Sequence, residues 1–246
     1  MNSMISSHSF PTGRIEIWPD EDAESPRDWD NLGAMTCWHR RYILGDKHKF
    51  DDSQELFFHL ARQIHPEFPH ADDVEWSEGA WQDRLQQIID KHYAVLPLYL
   101  MDHSGISMST GAFSCPWDSG QVGFIWMGLE KAQEIGGCAG KGWLDPVEFE
   151  RTDRFTLRSI TRTVTGTVRE RAEQWMRGEV ETYDSYLRGN VCGFRAFAVD
   201  PVTGEEEEAD SCWGFYSEED ALAEGKCQLP HADPNREFDL AEAALA

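Results

Sequence analysis

The stretch Ala94–Met101, AVLPLYLM, constrains the fold of this 246-residue chain more than any other segment. It is apolar at every position and too short for an ordinary buried helix. Such a run reads as a strand covered on both faces, at the centre of a sheet. Asp102-His103-Ser104-Gly105 follows as a turn, and Ile106–Thr110 returns, which makes a hairpin. Even with Tyr93 added, this longest apolar run is interrupted by Pro97 and falls far short of the roughly 20 residues of a membrane span.

Other segments fit around that strand. Ile15 and Ile17 alternate with polar neighbours in Arg14–Trp18, which predicts a short strand, and Ala34–Trp38 predicts a second. Behind Ser53 as a helix cap, Leu56, Phe57, Leu60 and Ile64 mark one helical face. Ala80–Lys91 reads as another helix, with Trp81, Leu85, Ile88 and Ile89 on its apolar side. Val122–Met127 is a further strand and Leu129–Ile135 a short helix. Phe155–Arg177 reads as mostly helical. Val180–Leu187, Val191–Val199 and Glu206–Tyr216 then read as a three-stranded antiparallel meander, with Ser217 capping a helix at Glu218–Glu224. Strands mixed with separate helices predict an α+β fold: a mixed or antiparallel sheet, the C-terminal meander, and helices packed on it. One domain is expected over 1–246, with a soft subdivision near 136–152, a loose N-terminus over 1–13 and a loose tail over 230–246.

The start of the chain has no basic region followed by an apolar core, so the reading is cytoplasmic, with no signal peptide. The cysteines, Cys37, Cys115, Cys138, Cys192, Cys212 and Cys227, are scattered and form no CxxC pair, which favours buried free thiols over disulfides.

Charge bears on function. The chain carries 22 Lys and Arg against 45 Asp and Glu, for a net charge of −23. That argues against direct contact with nucleic acid or an anionic membrane surface, since both require positive charge. It allows plain solubility, adaptation to a salty cytoplasm, or a surface aimed at a basic partner. Lysines number six against sixteen arginines, as salt adaptation would have it. The acids are clustered: residues 200–246 hold fourteen acidic and two basic side chains, whereas 151–195 hold nine arginines against six acids. The candidate partner-binding residues are therefore Asp20, Glu21, Asp22, Asp72, Asp73, Glu205, Glu206, Glu207, Glu208 and Asp210. Gathered on one side, they would imitate a phosphate array. Ordinary solvated loops are the alternative.

Candidate chemistry is sparser. Gly136–Gly142 resembles a phosphate-binding loop at a glance, but Lys141 is followed by Gly142 rather than Ser or Thr and no strand precedes it. Asp102-His103-Ser104 offers a general base beside an acid, or simply a hydrogen-bonded turn. Cys37 with His39, and Asp46 with His48, share a spacing that matches no zinc pattern. In Pro116–Gln121, Trp117 can cover a ligand that Asp118 and Gln121 bond, or can pack on the core while Asp118 shapes the turn. His39, Arg40, Asp102, His103 and Asp118 all lie at or near strand ends and would form one polar catalytic pocket if those ends meet. No metal site and no cofactor is expected.

The strings PRDWDNLGAMTCWHRRYILGD, LPLYLMDHSGISMSTGAFSCPWDSGQVGFI, GEVETYDSYLRGNVCGF and DSCWGFY resemble segments of an uncharacterised family carried by phages, plasmids and archaeal mobile elements. The likeness runs in patches from about residue 26 to residue 216 and carries no catalytic residues with it. What it implies is a setting, a mobile element acting inside a host cell. Small acidic proteins of such elements often block host defences by imitating DNA. The expected function is therefore a DNA-mimic, anti-defence inhibitor (anti-CRISPR or anti-restriction) of a nucleic-acid-binding host protein. The alternatives are a small hydrolase acting on a nucleotide or metabolite through the His/Asp/Arg pocket, and a structural or ligand-sequestering protein with no chemistry.

Overall fold

A computed structural model describes residues 3–73, 79–135, 144–152, 159–200 and 203–230. In chain order the elements are β1 (Ser6–Phe10), β2 (Gly13–Pro19), β3 (Ala34–Cys37), α1 (Ser53–Ile64), α2 (Gly79–His92), β4 (Tyr93–Asp102), β5 (Ile106–Ser109), β6 (Ser119–Gly128) and α3 (Leu129–Ile135). They continue with β7 (Leu144–Thr152), β8 (Ser159–Gly166), α4 (Val168–Leu187), β9 (Cys192–Val199), β10 (Glu206–Phe215) and α5 (Glu218–Cys227). Helices accompany antiparallel sheets, so the fold is α+β. No helix among the described residues is long and apolar enough to cross a membrane.

The chain divides into two compact units, Met1–Glu24 with Gly189–Ala246, and Ser25–Arg188. The expected soft boundary at 136–152 therefore falls inside the second unit. The first unit is an antiparallel sheet of order β1-β2-β9-β10. Period-2 alternation sends Ile15, Ile17, Phe194 and Ala196 to one face, where Ala221 of α5 packs among them. Gly225 lets α5 lie close: a Cβ there would sit 3.0 Å from Ile15 Cγ2.

The second unit holds the sheet β3-β6-β4-β5. Ala94, Leu96, Leu98 and Leu100 join Met35, Ile125 and Met127 in a core completed by Ala172, Met176, Val180 and Tyr183 of α4. Tyr93 packs instead with Leu56, Phe58 and Leu60 of α1 and with Leu85, Ile88 and Ile89 of α2, beside Val95 and Trp126. Strand β4 is therefore central, as its composition predicts, with the Ala94–Leu100 face buried and the Val95–Met101 face half-buried. Among the described residues, strands β7 and β8 pair only with each other.

The loop from β3 to α1 is fixed by a buried ion-pair network. Arg27, whose side chain is 4% exposed, bonds both oxygens of Asp46 at 2.8 Å, Glu179 at 3.0 Å and the Gly33 carbonyl at 2.8 Å. Asp46 also accepts from the Met35 N–H, and Glu179 accepts from the Leu32 N–H at 2.7 Å. Gly45 stands at φ +70°, where a Cβ would approach the Met35 carbonyl to 2.6 Å, so only glycine fits the turn.

Four expectations need correction. Residues 1–13 are not wholly loose, because Ser6–Phe10 pairs with β2. Phe155–Arg177 is not mainly one helix, since β8 occupies Ser159–Gly166 before α4 begins. Val180–Leu187 is the end of α4 rather than a strand; β9 takes β2 and β10 as its partners in place of the expected meander. The cap of α1 is Asp52, whose carboxylate accepts the Glu55 N–H at 2.9 Å, not Ser53. Gly136–Gly142 and the tail from His231 lie outside the described residues.

Candidate functional site

Three of the five polar strand-end residues, Asp102, His103 and Asp118, come together. Asp102 closes β4, and its N–H donates to the Asp118 carbonyl at 2.8 Å, just before β6 begins. That bond sets the two residues side by side. His103 Nδ1 lies 3.0 Å from Asp118 Oδ2, and the Cys115 thiol donates to the same oxygen at 3.7 Å. Ser104 takes the left-handed φ of 57° that lets the turn close. Tyr42 donates its hydroxyl to Asp102 at 3.3 Å, and Arg41 pairs with the Asp102 carboxylate.

The cation in this cluster is thus Arg41. Arg40, the expected member, forms no ion pair among the described residues. A turn sends neighbouring side chains in different directions, so adjacency could not choose between them. His39 joins only through its ring, which stacks on Tyr42 with centroids 4.9 Å apart. Its Nδ1 accepts the N–H groups of Arg41 and Tyr42, so it shapes the loop. Burial first, then the charges of Arg41 and Arg40, lower its pKa from 6.5.

Chemically, Asp118 can fix the tautomer and orientation of His103, leaving Nε2 free as a base. The pair is open to solvent, however, with side-chain exposures of 70% and 41%. Trp117 beside it is 92% exposed, so it neither packs on the core nor covers a cavity. The metal pairings of the sequence do not form. Arg27 takes both oxygens of Asp46, His48 Nε2 bonds the Cys37 carbonyl at 2.8 Å, and burial pushes the Cys37 thiol up to about 12. Among the described residues no three His, Cys, Asp or Glu side chains gather as a metal site.

The acidic candidates sort differently from their order in sequence. On β10, Glu206 and Glu208 pair across with Val199 and Phe197, while Glu207 pairs with Ala198 and points to the other face. Glu206 is bound by Arg14 at 2.9 Å and Glu208 by Arg195 at 2.6 Å. Both guanidiniums lie over the Phe197 ring, at 4.3 and 5.2 Å. The run Glu205–Glu208 is therefore not one anionic row, and half of it is neutralised by its own sheet. Glu205, Glu207 and Asp210 form no ion pair among the described residues.

A second acidic group gathers around Cys192. Asp20 follows β2, and its N–H donates to the Val191 carbonyl at 2.8 Å. Glu218 and Asp220 lie in the first turn of α5, with Glu219 between them. Burial, and then Glu218, Asp20 and Asp220, raise the Cys192 thiol to about 11, which puts these acids around one point. Tyr216 ties down the loop that carries Glu21 and Asp22 by donating to the Glu24 carbonyl at 2.8 Å. None of Asp20, Glu21, Asp22, Glu218, Glu219 or Asp220 forms an ion pair among the described residues. Sequence reasoning missed the α5 acids as partners of Asp20–Asp22, because only the β2–β9 pairing brings them together. Asp72 and Asp73 sit on an exposed 3₁₀ turn in the other unit.

No protein-family model, curated protein or solved structure matches the chain.

Proposed function

We propose that the protein is an acidic binding protein, encoded by a mobile element, that docks onto a basic nucleic-acid-binding surface of a host protein in the host cytoplasm. One observation carries this reading: Asp20, Glu218 and Asp220 gather around Cys192 where β2 ends and α5 begins, and none of them forms an ion pair among the described residues. The imitation of DNA rests on that cluster, together with Glu205, Glu207 and Asp210, and no longer on Glu206 and Glu208. Uncompensated carboxylates facing water attract a cationic surface at long range and lose that attraction when salt screens it.

The test is capture of partners from host lysate, followed by elution with salt between about 0.05 and 0.5 M and by duplex DNA. A partner released by both supports the docking. No partner, or one indifferent to salt and DNA, overturns it. The variant E218Q/E219Q/D220N should lose capture, while E208Q, which removes an already paired acid, should keep it.

A second reading, hydrolysis of a nucleotide or metabolite, is favoured by the His103–Asp118 pair beside Asp102 and Arg41. It requires turnover that H103Q abolishes. Turnover unchanged in H103Q removes His103 from any chemistry.

A further inference from the structure

The segment 39–49 runs against the charge of the whole chain. It holds His39, Arg40, Arg41, Lys47, His48 and Lys49 and a single acid, Asp46. That acid is fully engaged by Arg27 and the Met35 N–H, and Arg41 is engaged by Asp102. Arg40 and Lys47 are left with no ion pair among the described residues, and both line an open concavity of about 630 Å³. Trp38, His39, Tyr42 and His48 line it as well, together with Cys37, Ile43, Leu44 and the paired Asp46.

The wall is held in place from behind. The Trp38 N–H donates to the Val122 carbonyl at 2.7 Å, and its indole N–H to the Phe50 carbonyl at 2.8 Å. The Gly45 N–H donates to the Tyr183 hydroxyl at 3.1 Å, and the Asp46 N–H to the Met35 carbonyl at 2.8 Å. Leu44 is buried. A loop fixed this way loses little freedom when something binds.

We infer that this concavity binds a small phosphate-bearing ligand, with Arg40 and Lys47 holding the phosphate oxygens. Its volume falls within the range of small-molecule sites. A guanidinium fork and a flexible ammonium lining one concavity, neither in an ion pair among the described residues, are groups that grip phosphate. His39, whose Nδ1 accepts the N–H groups of Arg41 and Tyr42, carries its proton on Nε2 as a further donor. The inference is independent of the docking reading: it concerns the second unit and a ligand of the opposite charge.

The experiment uses the full chain, with inorganic pyrophosphate and then adenosine diphosphate as probes, followed by calorimetry and by amide NMR shifts. Saturable binding is expected with Kd below about 1 mM, with shifts concentrated in residues 38–48. R40Q/K47Q should weaken binding at least about tenfold, since two charge-assisted contacts are lost. K91Q, which removes an exposed lysine on α2, should leave it unchanged. Tighter binding of the nucleotide than of pyrophosphate assigns part of the grip to the adenosine. Equal binding assigns it to the phosphates alone. Three results overturn the inference: no saturable binding at about 10 mM probe, shifts spread over cations outside the loop, or unchanged affinity in R40Q/K47Q with circular dichroism showing an intact fold.

Discussion

A guanidinium withdrawn from water must have its charge met, and Arg27 meets it with two carboxylates and a carbonyl. Burial opposes its charge, but Asp46 and Glu179 outweigh burial and hold its pKa above the ordinary value. Removing the cation would leave two partly buried acids facing each other. R27M is therefore expected to lower stability by about 3–5 kcal/mol, read from the urea midpoint at unchanged slope. A midpoint equal to the wild type would show the network to be dispensable. His39 offers a pH test. Its folded pKa lies below the ordinary value, so the fold favours neutral imidazole, and its contribution to stability grows as pH rises through that window. A proton NMR titration should place His39 below 6.5, and R40Q should move it upward. At this scale the sequence was partly legible. Asp102, His103 and Asp118 were readable as lying at or near strand ends, but not as neighbours. Arg27 was not, because its partners lie 19 and 152 residues away. The thiols divide in the same way: Cys37 and Cys192 are buried as read, whereas Cys212 and Cys227 are exposed.

Helix α4 shows how an element can be misread when two periodicities overlap. Val180–Leu187 alternates in polarity, which suits a strand. Ala172, Met176, Val180 and Tyr183 nonetheless recur at helical spacing and are all buried. The deciding signal was Thr167-x-x-Glu170: the Thr167 hydroxyl accepts the Glu170 N–H at 3.2 Å, and the Glu170 carboxylate accepts the Thr167 N–H at 2.7 Å. T167A should cost about 1 kcal/mol, whereas M176A, which empties a fully buried site, should cost about 2–5 kcal/mol. Equal losses in thermal or urea unfolding would mean that the cap, not the packing, holds the helix. Strand β4 was legible because its run of apolar residues, buried on one face and half-buried on the other, leaves no polar position to confuse the pattern. Strand β1, SSHSF, was not, because its place comes from backbone pairing with β2 and its composition is mostly polar.

For the whole molecule, the net charge of −23 acts in two opposite directions with salt. Like charges held together in a folded chain repel, so the compact state carries an electrostatic penalty that screening relieves. A partner held by the same charges is released by screening. The melting temperature should therefore rise as salt increases from about 0.02 to 0.3 M, where the screening length falls from tens of ångströms to under 10 Å, over the range in which partner capture weakens. The internal pairs Arg14–Glu206 and Arg195–Glu208 work against the rise, but both are exposed and contribute little. The acids around Cys192 form no ion pair among the described residues, so E218Q/E219Q/D220N should flatten the salt dependence of melting while abolishing capture. Loss of capture with the salt dependence of melting unchanged would separate the two effects. It would mean that these carboxylates recognise a partner without straining the fold that displays them.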